Sequence, residues 1–529
     1  MAIPSFQTFM LWTVLLPSIC YILYKVPRLG RREKYLPPGP PTLPILGNAH
    51  LIPGSGMFRK FKDWGDQYGS VYSLKIGVST MVVLNDPRAV YELLNVRRVS
   101  FNDRPSDEQW DLVFQDLNFA IMHSNDVWRA VRKLLSNLLS PKILDGKLAK
   151  IQEAEVSRLM LDLLETPEEF KTSVQRTTFS TATVVLYGHS IPDWKSCWGS
   201  DFLDAIAETS VAIQPGSYLP TAHFPLLKLI PDSWVPSKRL AKKTHIHIRQ
   251  TFVNARQLVD ERRRNGDIRE SLADQYLDGQ VKLDVPLTDA QVDWTLLGTA
   301  HQAASETTAS ATMVNILLLA THKHVQEKAR EELDRVCGTE RMPQWSDAKD
   351  LPYITCIVKE GLRIKPVIPA GLPYRAKEDV WYEGMLIPKD ATIVLPAWSL
   401  NYSNYANPSI YDPDRYVNHK KSSMDYVTGA DYENRDHYTF GAGMRMCVGM
   451  HLADRTLWRT VARMLWAFRI EPPIDENGNL VELDLEAFHE GLVYCPLPYK
   501  VRFIPRSEKH AEVVRNSFAE VKDYLKQWE

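Results

Sequence analysis

Phe440-Gly-Ala-Gly-Met-Arg-Met-Cys447-Val-Gly449 is the stretch on which the fold turns. Two glycines stand close before a cysteine, and a third stands two residues after it. Glycine permits φ > 0 and lets a flat ligand come close to the backbone. Leu457, Val461, Met464, Leu465 and Phe468 then recur at helical spacing. Cys447 therefore lies where a Gly-rich loop opens a helix. Backbone N–H groups and the positive end of that helix favour a thiolate there. With no second Cys or His at zinc-like spacing, a single-thiolate metal site points to haem. The bland alternative is a buried free cysteine in an ordinary turn, where it acts as a small hydrophobe.

The chain has 529 residues and is 44% hydrophobic, enough for a large core. It shows no internal repeat and no long Gly/Ser linker. Its 63 basic and 64 acidic residues leave a net charge of −1, which gives no nucleic-acid footprint. Cys20, Cys197, Cys337, Cys356, Cys447 and Cys495 are scattered without paired spacing. That pattern fits a reducing compartment better than a disulfide framework. Asn401-Tyr-Ser403 matches the glycosylation acceptor pattern, which goes unused on a cytosolic face.

Phe9 to Tyr24 carries no charge, and the apolar run extends back toward Ala2. It is just long enough to span a bilayer with tilt. Lys25, Arg28, Arg31, Arg32 and Lys34 follow, which keeps the downstream chain in the cytosol. A cleaved signal peptide is the alternative, but the basic residues follow the apolar run and no Ala-x-Ala-like site closes it. Leu36-Pro-Pro-Gly-Pro-Pro41 reads as a stiff spacer. The chain thus divides into an anchor (1–24), a basic, proline-rich hinge (25–44), a main domain (45–506) and a charged tail (507–529). In the tail, Val514, Phe518, Val521 and Leu525 form a helical stripe, expected as a docked or frayed helix.

Within the main domain, Val71–Ile76 and Thr80–Leu84 read as strands that turn at Gly77. Asn125 or Asp126 caps a helix on which Trp128 and Arg132, four apart, share a face. Leu219 to Pro231 is apolar and broken by prolines, followed by Trp234, Lys238, Arg239, Lys242 and Lys243. It reads equally as a loop packed on the domain or as a second membrane contact. Thr288 and Gln291 form a capping box for a long helix reaching Leu319. Ala303-Ala-Ser-Glu306-Thr307-Thr308 interrupts that helix with poor helix formers. A Thr there can bond back to the carbonyl one turn earlier and bend the helix. Glu360 and Arg363, three apart on a further helix, can pair. Exposed, such a pair is worth roughly 0–1 kcal/mol. A structural role needs burial and a third partner.

These motifs, in this order, resemble the cytochrome P-450 monooxygenases, whose haem-binding loop reads Phe-x-x-Gly-x-x-x-Cys-x-Gly. The resemblance covers nearly all of the chain past Leu36. It implies a mainly α fold with small β-sheets, a single haem domain behind an N-terminal transmembrane helix. It implies haem b (iron protoporphyrin IX) in the loop of Phe440, with Cys447 as the iron ligand. Propionate contacts would come from Trp128, Arg132, Arg445 and Tyr374, the last where many relatives carry His, with Arg375 beside it as a substitute. The 303–308 stretch looks like the oxygen-activation motif, with Glu306 feeding protons and Thr307 hydrogen-bonding dioxygen. Ala304 stands where the family prefers Gly. A Glu360–Arg363–Arg415 cluster would fix the cysteine-bearing loop, with Gly361 where Thr is common. Phe101 to Asn125 would cover the substrate pocket, and the tip of a last hairpin within Glu490 to Lys500 would line it.

The implied activity is insertion of one oxygen atom of dioxygen into a hydrophobic small molecule. No flavin or nicotinamide motif occurs in the chain, so two electrons must come from an NADPH-dependent reductase. The implied setting is the endoplasmic reticulum membrane, single-pass, in contact with lipid, with a monomeric cytosolic domain. Gly371-Leu-Pro-Tyr374 and His451-Leu-Ala-Asp-Arg455 look most like filamentous-fungal enzymes of secondary metabolism, hence a polyketide or terpenoid intermediate as substrate. A haem-thiolate enzyme of rearrangement or ring expansion is one alternative. A non-catalytic haem sensor is another.

Overall fold

The computed structural model describes residues 29–194, 199–214, 216–403, 405–419 and 421–529. The expected anchor (1–24), with Lys25 and Arg28, lies outside the described residues. Among the described residues no helix is long and apolar enough to cross a membrane. The architecture is mainly helical, with one four-stranded and three two-stranded sheets.

The helix Thr299–Thr321 runs through the centre. From Thr308 to Ala320 every residue is buried, so this stretch is enclosed on all sides. Around it stand Phe170–Tyr187, Pro352–Ile364 and Met450–Ala467. Ile316, Leu317, Leu318 and Leu319 join Ile357, Leu457, Val461 and Leu465 in one apolar cluster. Each such side chain contributes about 1.5–3 kcal/mol through burial. Thr288 and Gln291 make the expected capping box, N–H to side-chain oxygen at 3.0 and 3.3 Å. After a first α-turn the helix passes into a π-helical stretch, Gln291–Gly298, and α register resumes at Thr299.

The main sheet pairs Val71–Ile76 antiparallel with Ser79–Leu84, Val71 facing Leu84 and Ile76 facing Ser79. Thr392–Val394 adds in parallel, Met81 facing Thr392, and Tyr374–Arg375 closes the edge antiparallel to it. Gly77 turns the first hairpin with φ +54°, and a Cβ there would stand 2.1 Å from the His223 carbonyl oxygen. That close approach seats the Leu219–Pro231 segment on the sheet, and Val78 N–H donates to the same oxygen at 3.0 Å. The segment thus packs on the domain at Thr221–Phe224 while Leu226, Leu229 and Trp234 stand 73–80% exposed. Of its flanking bases, Lys238 is an internal tie, bonded to Glu108 at 2.7 Å and Asp232 at 2.9 Å.

The tail forms the helix Glu508–Lys526, docked rather than frayed. Val514 and Leu525 are buried, and Phe518 and Val521 pack on Ile151 and Ala154. Asn401 is also buried, bonded to the Arg363 carbonyl and the Tyr438 N–H. The glycosylation acceptor pattern is therefore an internal strut.

Candidate functional site

The loop read first lies on a cavity of about 340 Å³. Gly441 and Gly443 take φ +71° and +61°, as the glycine reading requires. At Gly443 a Cβ would meet the Leu94 carbonyl oxygen at 2.0 Å. Gly449 differs: its φ is −88°, and it serves as the N-cap of Met450–Ala467. The loop closes through Cys447 N–H, which donates to the Phe440 carbonyl at 2.9 Å. Phe440 and Cys447 both line the cavity, and the accessible surface of Cys447 faces it.

One expectation changes here. Burial pushes the Cys447 thiol above its ordinary pKa, outweighing the Gly449 N–H and the nearby Arg132 guanidinium. The loop and helix end alone do not produce a thiolate. Deprotonation needs a bound cation, which ionises a coordinating thiol outright. Among the described residues no group of three or more His, Cys, Asp or Glu is placed to hold a metal ion. Cys337, Cys356, Cys447 and Cys495 are unpaired thiols.

Three guanidiniums crowd the wall beside the cysteine. Arg132 donates to the Met446 carbonyl at 2.7 Å. Arg445 donates to the Asn102 and Met122 carbonyls at 2.7 and 2.8 Å and lies 4.0 Å from the Trp128 ring centre. Its Nη1 is buried with no hydrogen-bond partner. Arg104 donates to the Ala120, Leu372 and Pro373 carbonyls. Burial, then Arg104 and Arg132 as neighbours, pull Arg445 down to about 9. Burial takes Arg104 down to about 10. The nearby acid, Asp103, is spent on Ser124 N–H, His123 and Arg375. Two buried guanidiniums, Arg104 and Arg445, a half-buried one, Arg132, and an unused donor call for anions, and a porphyrin brings two carboxylates to such a wall. The residues therefore fit a haem, with Cys447 on its iron.

The remaining expected contacts sort as follows. Trp128 is buried on the cavity wall, its backbone N–H donating to the N-cap Asn125 side chain at 2.8 Å and its ring stacked on Phe119 at 6.2 Å. Tyr374 also lines the cavity, but its hydroxyl is engaged. It donates to the Ala442 carbonyl and accepts from the Ala442 N–H, both at 3.2 Å. It thus clasps the cysteine loop. Arg375 pairs with Asp390 at 3.0 Å and with Asp103 at 3.4 Å.

Glu306 and Thr307 stand on the same cavity from the central helix. Thr307 Oγ1 donates back to the Ala303 carbonyl at 2.6 Å, the bond the sequence suggested. Burial pushes the Glu306 carboxyl up to about 7. A carboxyl of that pKa both gives and takes protons near neutrality. Ala304 also lines the cavity, so its methyl occupies space a glycine would leave.

Glu360, Arg363 and Arg415 come together behind the loop. Arg363 binds Glu360 bidentately at 2.7 and 2.8 Å, and Arg415 Nε reaches the same carboxylate at 3.0 Å. Glu360 also accepts the Asp412 N–H at 2.9 Å. Glu360 and Arg363 are fully buried, so this is the case where a pair needs its extra partners. Two residues escaped the sequence reading. Arg104 sits in an irregular span with no periodicity to single it out. Asn315, fully buried, packs on Gly361 and explains that departure: a Cβ at Gly361 would stand 2.7 Å from Asn315 Oδ1.

Comparison with known proteins follows the geometry. The family model described as Cytochrome P450 matches residues 37–503. The cytochrome P450 monooxygenase macC of Penicillium terrestre is 34% identical over 522 residues, 96% of each chain. A cytochrome P450 monooxygenase of Arthrobotrys oligospora is 32% identical over 521 residues, 97% of this chain and 96% of its own. The cytochrome P450 monooxygenase yanC of Aspergillus niger is 33% identical over 501 residues, 92% and 93% of the two chains.

Proposed function

The chain belongs to the cytochrome P450 family, haem-dependent oxidoreductases of the monooxygenase type, and we propose that it oxidises a hydrophobic intermediate of fungal secondary metabolism, a polyketide or terpenoid. The cofactor is haem; the reading takes it as haem b, held by Cys447 and by Arg132, Arg445 and Arg104 at its carboxylates. When bound, that group supplies reductive activation of dioxygen, with two electrons from an NADPH-dependent reductase. The chain's own residues do the rest. Cys447, as its thiolate, would hold the iron. Glu306, poised near neutrality by burial, passes protons into the cavity. Thr307 presents its hydroxyl there while its own proton rests on the Ala303 carbonyl. The Glu360–Arg363–Arg415 cluster holds the loop in place.

The observation that carries this reading is that Cys447 faces one cavity whose lining also holds Arg104, Arg132, Arg445, Glu306 and Thr307. We further read residues 1–24 as a single-pass anchor in the endoplasmic reticulum membrane, the domain in the cytosol. The exposed Leu226, Leu229 and Trp234 support a second contact with that membrane. The chain is read as a monomer. The test is turnover of the reductase-coupled protein on polycyclic polyketide and terpenoid panels under labelled dioxygen. One labelled atom in product, with NADPH consumed, supports the reading. Product formed without NADPH or dioxygen overturns it in favour of an isomerase.

A further inference from the structure

The central helix spends most of its hydroxyls on hydrogen bonds, Ser310 on the Tyr494 carbonyl at 2.9 Å and others on the helix itself. Ser305 bonds to the His301 carbonyl at 2.7 Å, Thr307 to Ala303 at 2.6 Å and Thr312 to Thr308 at 2.8 Å. Thr321 does the same at the far end. Thr299 breaks the pattern. It is 3% exposed, it is among the residues that line the cavity, and its Oγ1 is buried with no hydrogen-bond partner. A buried hydroxyl in that condition is unfavourable, and one that persists asks for a reason.

The local cause is the π-helical turn Gln291–Gly298. Thr299 N–H reaches back five residues to the Trp294 carbonyl. The carbonyl four back no longer stands in α register beneath the Thr299 side chain, so the usual back-bond is lost. Packing holds the turn in place. Gly298 meets the Phe252 ring so closely that a Cβ would stand 2.4 Å from it. Such turns recur at functional sites.

Trp110, Phe114 and Phe119 line the cavity together with Ala300, Ala303 and Ala304 of the helix. Aromatic rings and small side chains in one lining leave room for a flat, apolar molecule. The charged groups on the wall are Arg104, Arg132 and Arg445, gathered by the cysteine, and Glu306. None of the arginines is on the helix that carries Thr299. Resting on the haem-monooxygenase reading above, we propose that Thr299 determines substrate choice by donating a hydrogen bond to a phenolic or ketone oxygen of a flat, neutral aromatic substrate. Its oxygen is shielded in the ligand-free state. Turning about χ1 exchanges hydroxyl and methyl, and no hydrogen bond resists that turn. Thr299 precedes Thr307 by eight residues, about 12 Å along the axis. The recognised oxygen and the oxidised carbon therefore lie at opposite ends of a molecule about two linked rings long.

The test uses the full-length, haem-loaded protein and two probes that differ by one hydroxyl, 4-phenylphenol and biphenyl. Binding is read from the ligand-induced shift of the haem spectrum. Wild type should bind 4-phenylphenol about three- to tenfold more tightly than biphenyl, the yield of one net hydrogen bond. Thr299→Val should abolish the preference and leave biphenyl affinity unchanged; Thr299→Ser should keep it. Ligand-free Thr299→Val should melt no lower than wild type, because its hydroxyl bonds nothing there. A preference that survives Thr299→Val, equal affinity or no binding in wild type, or a lowered melting temperature in Thr299→Val overturns the proposal. If no variant, wild type included, takes up haem, the monooxygenase reading fails instead.

Discussion

Gly361→Thr restores the residue common in the family, and in this chain it should destabilise. A Cβ at Gly361 would stand 2.7 Å from Asn315 Oδ1, 3.0 Å from Nδ2 and 3.1 Å from Cγ. Asn315 cannot swing away: it is fully buried, and its Nδ2 donates to the Ala311 carbonyl at 2.8 Å. Overpacking of this kind costs about 1–3 kcal/mol. Exchanging Gly for Thr inside a helix returns roughly 0.3 kcal/mol of propensity. The net loss should be about 1–2.5 kcal/mol. Gly361 lies between Glu360 and Arg363, so the strain reaches the cluster behind the cysteine loop. Adding Asn315→Ala removes the clash and also a buried Oδ1 that has no partner. The Ala311 carbonyl keeps its helical N–H, so the second change strands nothing. The pair should therefore be more stable than the sum of the single changes by about 1–2 kcal/mol. Denaturant midpoints of wild type, both single variants and the pair close the cycle. Additivity within about 0.5 kcal/mol, or a Gly361→Thr variant as stable as wild type, refutes the reasoning.

Glu306→Gln should flatten a pH dependence. The folded protein holds the Glu306 proton up to about pH 7, against an ordinary value of 4.5. Its stability contribution is full below that ordinary value and is lost as pH rises through about 7. Thermal melts from about pH 4.5 to 8 should fall more steeply for wild type than for the variant, and parallel curves would contradict the burial argument. Thr307→Ala should lower product formed per NADPH while haem content stays constant; equal coupling would refute the role of its hydroxyl. Arg445→Leu removes the donor that Nη1 keeps unused. Haem transfer to an apo-acceptor protein should speed up by roughly 10- to 100-fold, as for a lost charge-assisted bond. An unchanged transfer rate would show that no carboxylate sits on Nη1.

The legible parts of the sequence were those carried by local spacing. The glycines before Cys447 had to be glycine because Gly441 and Gly443 take positive φ and Gly443 lies against the Leu94 carbonyl. The capping box at Thr288 and Gln291 and the tail stripe were likewise local facts. Glu360, Arg363 and Arg415 could be joined only through the family resemblance, since 52 residues separate the second from the third. The π-helical turn before Thr299 was invisible because periodicity treats a helix as uniform, whereas here a tertiary contact, Phe252 on Gly298, accompanies the shift of register. Arg104 was missed for want of any period around it. Burial raises the Cys447 thiol pKa, a tertiary effect that loop and helix, being local, do not report.

The most direct test is the reduced carbon-monoxide spectrum of the purified protein beside that of Cys447→Ala. Wild type should show the Soret band characteristic of the family's thiolate-bound haem, and the variant should lose it. The same spectrum from both proteins, or a wild type that carries no porphyrin, would contradict the assignment of Cys447 as the iron ligand.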